Sequence, residues 1–484
     1  MRILLASSEV HPFSKTGGLA DVVGALAKSL AAAGHRVGVV SPLYRGVRES
    51  FPNIAPAELA LIDLPLGGRR VQSQVWTLSA GPHLTYYFIR QENFFERPEL
   101  YQEQGHDYPD NVDRFTYFSK CVAYLARHLS WQPELVHNND WQTGLVPLFL
   151  RHQSLTDGWT TPPRTVLTIH NLAYQGNFPA VTFGLTNLPL TYFHPSAVEY
   201  WGGMNFLKTG IVFSDVITTV SPRYAREILT EPFGCGLDGV LRQRQHSVFG
   251  ILNGVDYEEW QTVNNPFLKQ PYSTASLRGK AAGKLELQQE LGLPVTAKVP
   301  LFCTISRLVE QKGVDILLAA LTSLLPQHDL QFALLGSGPP QHEAAFAELH
   351  RRFPGKVAVH LGFNQGLSHR MEAGGDFFLM PSRFEPCGLN QMYSQRYGTI
   401  PIVRITGGLD DSVVDATENT AGATGIKFGD YSAANLAAAI TRALELFRNA
   451  KLLRQYRLNG MKADFSWERT SEQYLRIYEL ALAK

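Results

Sequence analysis

The sequence predicts an α/β protein built from two Rossmann-like domains of similar size. Short apolar runs alternate with segments of helical periodicity, which is typical of parallel sheets covered by helices on both faces. The alternation pauses near residues 252–270, where Asn and Pro are frequent, and then begins again. We therefore place one domain at 1–255 and the other at 256–464.

The first forty residues show the repeating unit of the fold. Ile3–Ser7 is an apolar strand, a glycine-containing loop follows, and Leu19–Ala33 has helical spacing that ends at Gly34. Arg36–Val40 is the next strand. Further strands are expected at Val71–Leu78, Leu84–Ile89, Leu135–His137, Val166–Ile169 and Val216–Val220, and helices at Asp113–His128 and Asn205–Phe213.

The second half repeats this pattern. Strands are expected at Val299–Ser306, Leu330–Leu335, Val357–Leu361, Phe377–Met380 and Pro401–Val403, and helices at Val314–Leu325 and Leu389–Tyr397. A short internal repeat gives modest support, since Thr16–Asp21 (TGGLAD) resembles Thr406–Asp411 (TGGLDD). Two facing domains of this kind would place their ligand sites at the strand carboxyl ends, across a shared cleft.

Charge and cysteine content exclude several classes of protein. Lys and Arg number 44 against 43 Asp and Glu, whereas nucleic-acid binders and membrane-surface proteins usually carry a basic excess. The four cysteines form no CxxC pair, which favours a reducing cytosol over a disulfide framework or a zinc site. Glu9 and His11 interrupt the apolar run of the first residues, so we expect no signal peptide there, and no run of about 18 apolar residues is present. We expect a soluble, cytoplasmic protein with neither nucleic acid nor membrane as a partner.

Two loops that follow strands are candidate anion sites. In Lys15–Asp21, glycines and a helix N-terminus can approach an anion and Lys15 can add a full charge, although a tight turn with a solvated lysine fits equally well. The spacing matches neither the dinucleotide fingerprint nor the P-loop. In Ser306–Gly313, Arg307 and Lys312 can converge on a diphosphate; the alternative is a surface loop with two exposed cations.

The segment Phe384–Leu389 lies between a strand and a helix. Glu385 can accept hydrogen bonds from sugar hydroxyls while the amides of Gly388, Leu389 and Asn390 point at an anion, or Glu385 is simply a first-turn acid. Cys387 is expected to be a small buried residue rather than a nucleophile. His170 and Asn171, Asn138–Trp141, and Asn253 at the domain junction each fit a ligand site or a structural role.

Together these motifs resemble the bacterial and plant glycogen and starch synthases, which are retaining glucosyltransferases of the GT-B fold. The matching segments follow the family's order, and the resemblance covers essentially the whole chain. They are Lys15–Asp21, Asn138–Gly144, Thr168–Gln175, Ile251–Asp256, Ser306–Gly313 and Pro381–Leu389. Each motif alone is weak, but the ordered set is specific.

The resemblance implies transfer of glucose from ADP-glucose to the non-reducing end of an α-1,4-glucan, with retention of configuration and with neither cofactor nor metal. It implies that Lys15, Arg307 and Lys312 bind the diphosphate, and that His170 and Glu385 hold the donor glucose, with the His170 carbonyl near the anomeric carbon. These five residues are the catalytic candidates. The other implied substrate-binding residues are Gly18, Asp21, Asp140, Asn171, Asn253, Phe363 (on adenine), Cys387, Gly388, Leu389 and Asn390.

The chain departs from the wider pattern at a few positions. Many other GT-B enzymes carry a second Glu where this chain has Tyr393, a departure that the glycogen and starch synthases share. Asn390 replaces a frequent Thr, and Phe363 and Phe95 replace frequent Tyr residues. In this fold the C-terminal helix typically crosses back, so we expect 465–484 to complete the first domain.

Two alternative functions stay open at this point. One is a GT-B α-glucosyltransferase that uses UDP-glucose, since nucleobase choice depends on pocket shape. The other is a non-catalytic glucan-binding module, which the presence of all five catalytic candidates disfavours. A homo-oligomer is compatible with the sequence.

Overall fold

The chain folds into two compact units, seen in a computed structural model that describes residues 1–59 and 61–484. The first unit comprises Met1–Val220, Ala225–Ile251 and Trp467–Lys484, and the second comprises Ser221–Tyr224 and Leu252–Ser466. These bounds lie within a few residues of the division that the sequence suggests at 255/256 and 464/465. The sequence does not suggest that Ser221–Tyr224 belongs with the second unit.

Twenty-one strands are found among the described residues. They are β1 Arg2–Ala6, β2 Arg36–Pro42, β3 Ala55–Pro56, β4 Ile62–Leu66, β5 Arg69–Ser79, β6 Leu84–Arg90, β7 Gln102–Glu103, β8 His106–Asp107, β9 Leu135–Asn139, β10 Arg164–Ile169, β11 Asn177–Pro179, β12 Glu199–Tyr200, β13 Gly203–Asn205, β14 Val216–Thr219, β15 Val248–Gly250, β16 Leu301–Ile305, β17 Gln331–Gly336, β18 Val357–Leu361, β19 Phe377–Met380, β20 Ile400–Arg404 and β21 Ile426–Phe428.

Seventeen α-helices accompany these strands in the described part of the chain. They are α1 Gly18–Ala32, α2 Val47–Ser50, α3 Glu92–Phe95, α4 Asn111–His128, α5 Val146–Thr156, α6 Phe206–Phe213, α7 Pro222–Glu227, α8 Asp238–Gln243, α9 Arg278–Glu290, α10 Val314–Leu324, α11 Pro340–Arg352, α12 Gln365–Gly374, α13 Asn390–Arg396, α14 Gly407–Ser412, α15 Ala433–Arg448, α16 Ala450–Lys462 and α17 Trp467–Leu482. No helix among the described residues is long and apolar enough to span a membrane.

The first unit contains a sheet with the strand order β15-β14-β10-β9-β1-β2-β6-β5-β3, and β4 pairs with β5. The strands from β15 to β6 are parallel, as the sequence predicts. The edge differs from that prediction, because β5 runs antiparallel to β6, β3 and β4. Only Gly67 and Gly68 separate β4 from β5, and so short a connection permits a hairpin but no parallel crossover.

The C-terminal helix α17 packs in the core of the first unit, where Trp467, Tyr474 and Tyr478 are buried. Tyr478 Oη lies 2.8 Å from Nδ1 of His137 in β9, and Ser471 Oγ lies 2.9 Å from Ser29 Oγ in α1. These contacts hold α17 against the unit although most of the second unit intervenes in the sequence.

The second unit contains a six-stranded, entirely parallel sheet with the order β18-β17-β16-β19-β20-β21. Alternate residues point to opposite faces, as strand geometry requires. Phe302 and Phe377 pack with α10 and α15 on one face, and Leu301 and Cys303 pack with α9 and α12 on the other. Because both faces are covered, the strands read as continuous apolar runs in the sequence.

Candidate functional site

In the first unit the strand order reverses beside β1. The chain goes from β1 to β2 and β6 on one side, and β9, β10, β14 and β15 lie on the other. Open parallel sheets bind ligands beyond the strand carboxyl ends at such a reversal. The loops after β1, β9 and β10 carry Lys15–Asp21, Asp140, and His170 with Asn171. The structure therefore brings these predicted residues to the carboxyl ends of the strands at this reversal.

Lys15, in the loop before α1, is paired with a carboxylate of that helix. Its Nζ lies 2.8 Å from Asp21 Oδ1, and both side chains are partly exposed to solvent. Helix α1 begins at Gly18, directly after the extended residue Gly17, so Asp21 lies in the first helical turn. A phosphate bound here would compete with Asp21 for Lys15.

Glu9 holds the backbone of this loop, a role that sequence reasoning missed. Its carboxylate accepts hydrogen bonds from Thr16 N (2.5 Å), Thr16 Oγ1 (2.6 Å), Gly17 N (3.3 Å) and Tyr101 Oη (2.7 Å). Glu9 is only 3% exposed. A buried carboxylate with several donors is a firm anchor, because removing it would leave those donors unpaired. The only signal in the sequence is an acidic residue shortly after the apolar run of β1.

Asp140 follows β9 with a backbone that non-glycine residues rarely adopt, φ +56° and ψ −172°. Such a conformation costs of the order of 1–3 kcal/mol and is typical of functional sites. Its Oδ1 accepts from His170 N at 2.7 Å, and the amide of Asn171 also donates to the carboxylate. Burial raises the pKa of Asp140 to about 7, against the opposing effect of these two amides.

His170 is a neutral imidazole with a defined tautomer. Burial lowers the pKa of His170 to about 3, so the ring carries no charge near neutral pH. Its Nε2 lies 2.9 Å from Asn139 Oδ1, while Asn139 Nδ2 donates to Ala6 O at 3.1 Å. Because the amide of Asn139 is oriented by Ala6, its oxygen faces His170 and Nε2 carries the proton. Nδ1 is therefore the hydrogen-bond acceptor of the ring.

In the second unit the strand order reverses between β16 and β19. The loops after these strands are the predicted segments 306–313 and 381–389. Arg383 N donates to Gln311 O (2.8 Å), and Gln311 Nε2 donates to Phe384 O (3.3 Å). Gly313, with φ +73°, permits this approach, because a Cβ there would lie 2.0 Å from Pro381 O.

Lys312 and Glu385 form an ion pair where these two loops meet. Lys312 Nζ lies 2.6 Å from Glu385 Oε2, which also accepts from Ser382 Oγ at 3.0 Å. The Glu385 side chain is 7% exposed and that of Lys312 is 21% exposed. Arg307 extends from the same loop as Lys312 and is exposed. This end of the sheet therefore carries two cations, Arg307 and Lys312, and one carboxylate, Glu385, that is fixed by its hydrogen bonds.

Cys387, in the 381–389 loop, is in contact with Asn253. The backbone and side chain of Asn253 both hydrogen-bond to the Cys387 thiol, and burial raises the pKa of Cys387 to about 12. The thiol is therefore protonated at neutral pH and inert as a nucleophile. Gly388 and Leu389 are half-buried, and Asn390 Nδ2 donates to Ile305 O at 2.7 Å, joining α13 to β16.

The structure also places Phe363, which the resemblance puts on adenine, and Tyr393, which marks a departure from the wider GT-B pattern. Phe363 follows the edge strand β18, which β17 separates from β16, and the residue is 89% exposed. Tyr393 stacks on Trp260 with ring centroids 3.7 Å apart and an interplanar angle of 5°. Trp260 also stacks on His369, at 4.3 Å. The position of the second Glu in other GT-B enzymes is therefore part of an aromatic stack.

Comparisons with known proteins agree with this architecture. The family described as the starch synthase catalytic domain matches residues 2–243, and the family of glycosyl transferases group 1 matches residues 287–462. A glycogen synthase of Anaeromyxobacter sp. (strain Fw109-5) is 49% identical over 479 residues, covering 99% of both chains. The chain belongs to the glycogen and starch synthase family. It is therefore a glycosyltransferase, as the motifs predict.

Further proteins are similar to this chain in sequence or in structure. Glycogen synthase 2 of Nitrosococcus oceani is 43% identical, over 99% of this chain and 97% of the other. The catalytic domain of starch synthase IV from Arabidopsis thaliana, solved with ADP and acarbose bound, superposes with a TM-score of 0.89 at 32% identity, over 100% and 99% of the two chains. That match confirms the predicted GT-B fold class. A sucrose-phosphate synthase from Thermosynechococcus elongatus shares the fold, with a TM-score of 0.61 at 19% identity.

Proposed function

We propose that this chain is a glycogen synthase that transfers glucose from ADP-glucose to the non-reducing end of an α-1,4-glucan, with retention of configuration. The observation that carries the proposal is the Lys312–Glu385 pair at the strand reversal of the second unit, in which Lys312 shares its loop with the exposed Arg307. Cations for a diphosphate and a carboxylate for sugar hydroxyls are thus already together. The bound ADP of the Arabidopsis relative supports adenine as the nucleobase.

The diphosphate would be bound by Arg307 and Lys312 in the second unit and by Lys15 in the first. Departure of ADP builds negative charge on the phosphates, and preformed cations and backbone amides stabilise that charge. Lys15 and Lys312 each exchange a carboxylate partner for phosphate oxygens, while Asp21 and Glu385 become available to hydroxyl groups. The amides near Gly18 and Gly388–Leu389 would add to this stabilisation.

The sugar becomes oxocarbenium-like as the bond to ADP breaks, and nearby carbonyl or carboxylate oxygens offset its positive charge. The His170 carbonyl and Glu385 would have this role. The neutral His170 ring offers Nδ1 as an acceptor without adding charge. Asp140, Asn171 and Asn253 would complete the contacts with the donor. Attack by the acceptor hydroxyl on the face that ADP leaves gives retention.

The test follows glucan growth and nucleoside diphosphate release together, with glycogen as acceptor and either ADP-glucose or UDP-glucose as donor. We expect growth and release with ADP-glucose to exceed those with UDP-glucose clearly. Growth with UDP-glucose alone would overturn the donor assignment. Glycogen binding with neither growth nor release would indicate a glucan-binding module instead.

Matched variants assign the activity to the site. Lys15→Ala is expected to lower turnover strongly, because a cation in the transition state is lost. Lys28→Ala removes an exposed lysine of α1 and serves as the control, with turnover near that of the unmodified protein. Equal turnover in the two variants would contradict the role of Lys15. We also propose a cytoplasmic location, which the four free thiols support.

A further inference from the structure

The turn Thr406–Asp411, which matches Thr16–Asp21 in sequence, has no part in the function proposed above. It follows β20 and begins α14. It packs against the backbone of residues 385–388, here called the 385–388 loop. Its contacts indicate what the repeated Gly-Gly pair does in the second unit.

Both glycines of the turn touch main-chain atoms of the 385–388 loop. Gly407 has φ +43°, and a Cβ there would lie 1.9 Å from Glu385 O. A Cβ on Gly408 would lie 2.2 Å from Cys387 O and 2.5 Å from Cys387 Cα. Any side chain at either position would displace one of these two backbones. The Gly-Gly pair is thus required by contact with this loop.

Hydrogen bonds join the same two segments. Gly408 N donates to Glu385 O and to Pro386 O, each at 3.1 Å. Gln391 Nε2 donates to Cys387 O (3.1 Å), to Gly388 O (3.0 Å) and to Ser412 Oγ (3.0 Å). Ser412 Oγ in turn donates to Gly408 O at 2.5 Å. The carbonyls of residues 385–388 are thereby all bonded to the turn or to Gln391.

The turn is itself fixed to the rest of the second unit by charged groups. Asp410 Oδ1 lies 2.8 Å from Lys427 Nζ, and Asp410 Oδ2 lies 2.8 Å from Arg223 Nη1. The Lys427 side chain is 5% exposed. Asp411 Oδ2 accepts from Arg223 N at 2.6 Å. A short helix held at both acidic residues cannot follow movements of the 385–388 loop freely.

We propose that the Thr406–Asp411 turn is a positioning element for Glu385, which fixes the main chain of the 385–388 loop so that the Glu385 carboxylate stays beside Lys312. The inference rests on the proposed function for its effect on turnover. The residues of the turn need not touch the substrate. Small displacements of a group that contacts the reacting sugar reduce turnover strongly, by up to about a hundredfold for a shift near 1 Å.

The test is a double-mutant cycle between Gly408→Ala and Glu385→Gln, with Gly429→Ala as the control. A Cβ on Gly429 would meet no atom within 4 Å. Gly408→Ala is expected to lower kcat about tenfold or more in the unmodified protein, and less than about threefold once Glu385 is Gln. Equal fold-changes in both backgrounds would overturn the inference, because a general structural defect does not depend on Glu385.

A milder variant covers the case in which Gly408→Ala fails to fold. Ser412→Ala removes the hydroxyl that links Gly408 O to Gln391, and Ser323→Ala removes a comparable hydroxyl-to-carbonyl bond within α10. We expect a kcat decrease of roughly threefold to tenfold for Ser412→Ala alone, again absent in the Glu385→Gln background. Identical kinetics for the two serine variants would overturn the inference.

A crystal structure of the Ser412→Ala or Gly408→Ala protein decides the question independently of the donor. The expected result is a Lys312 Nζ to Glu385 Oε2 separation beyond about 4 Å, the usual limit for an ion pair. Retention of the present 2.6 Å separation would contradict the inference. Absence of transfer from ADP-glucose by the unmodified protein would instead contradict the proposed function.

Discussion

Lys312 Nζ lies 2.6 Å from Glu385 Oε2, so a cation and a carboxylate with different proposed roles toward one substrate are bonded to each other. The same arrangement occurs in the first unit, where Lys15 Nζ lies 2.8 Å from Asp21 Oδ1. In each pair the carboxylate positions the lysine when no ligand is bound. In the proposed function, binding of a diphosphate at either pair is then an exchange of partners for the lysine, which costs less than desolvating an unpaired charge.

Lys312→Met is expected to reduce both stability and turnover. Without Lys312 the buried Glu385 carboxylate keeps Ser382 Oγ as a donor but loses its cation. We expect the free energy of unfolding to fall by about 2 kcal/mol, less than for a fully buried pair because Lys312 is partly exposed. Urea denaturation measures this change, and ADP release from ADP-glucose measures turnover.

The double variant Lys312→Met with Glu385→Gln separates the two effects. Removing both charges should restore most of the stability, because no uncompensated charge stays buried. Turnover should remain low, because both substrate contacts are lost. Recovery of turnover along with stability would show that the pair acts only in folding.

Asp140→Asn should change how stability depends on pH. Burial raises the pKa of Asp140 from 3.8 to about 7, so the folded chain binds more protons than the unfolded chain in this range. The carboxyl therefore lowers the stability of the fold as the pH rises from about 4 to about 7. Asn lacks this titration and has nearly the same shape as Asp.

Between about pH 4 and about pH 7, the free energy of unfolding of the unmodified protein should fall by up to about 4 kcal/mol more than that of Asp140→Asn. Denaturant titrations at several pH values measure the difference. Parallel pH profiles for the two proteins would contradict the raised pKa of Asp140. Turnover of Asp140→Asn is a separate measurement, and we expect it to be strongly reduced.

Glu9→Gln should impair the Lys15 loop without unfolding the chain. Its amide would turn an NH2 group toward the donors Thr16 N and Gly17 N, or toward Tyr101 Oη, in place of an acceptor oxygen. We expect kcat to fall about tenfold or more, because Lys15 is displaced. Tyr101→Phe removes one donor of the four and serves as a graded control, with a decrease below about threefold. Equal effects of the two substitutions would contradict the anchoring role of Glu9.

Much of this arrangement could be predicted from the sequence, because strand and helix periodicity are local properties. The loops with Arg307 and Glu385 were predictable as strand ends, and the reversal of strand order brings them together. The antiparallel edge was not predicted, because a two-residue connection between β4 and β5 had to be recognised first. Nor was Glu9, since its contact with Tyr101 joins residues 92 positions apart.

Cys387 should behave as a packing residue rather than as a nucleophile. Burial raises the pKa of Cys387 and of Cys121 to about 12, and it also raises the pKa of the buried Cys303. A thiol-alkylating reagent near neutral pH should therefore modify only the exposed Cys235 in the native protein, because reaction requires an accessible thiolate. Peptide mass spectrometry identifies the modified residue, and Cys235→Ala should abolish the label.

Cys387→Ala should keep turnover within about threefold of the unmodified protein. The substitution loses the contact between the thiol and Asn253, at a cost to stability of about 1 kcal/mol. The main chain of the 385–388 loop, which the Thr406–Asp411 turn holds, does not depend on the thiol. Rapid alkylation of Cys387, or a turnover decrease of about a hundredfold in folded Cys387→Ala protein, would instead indicate that its sulfur contacts the substrate.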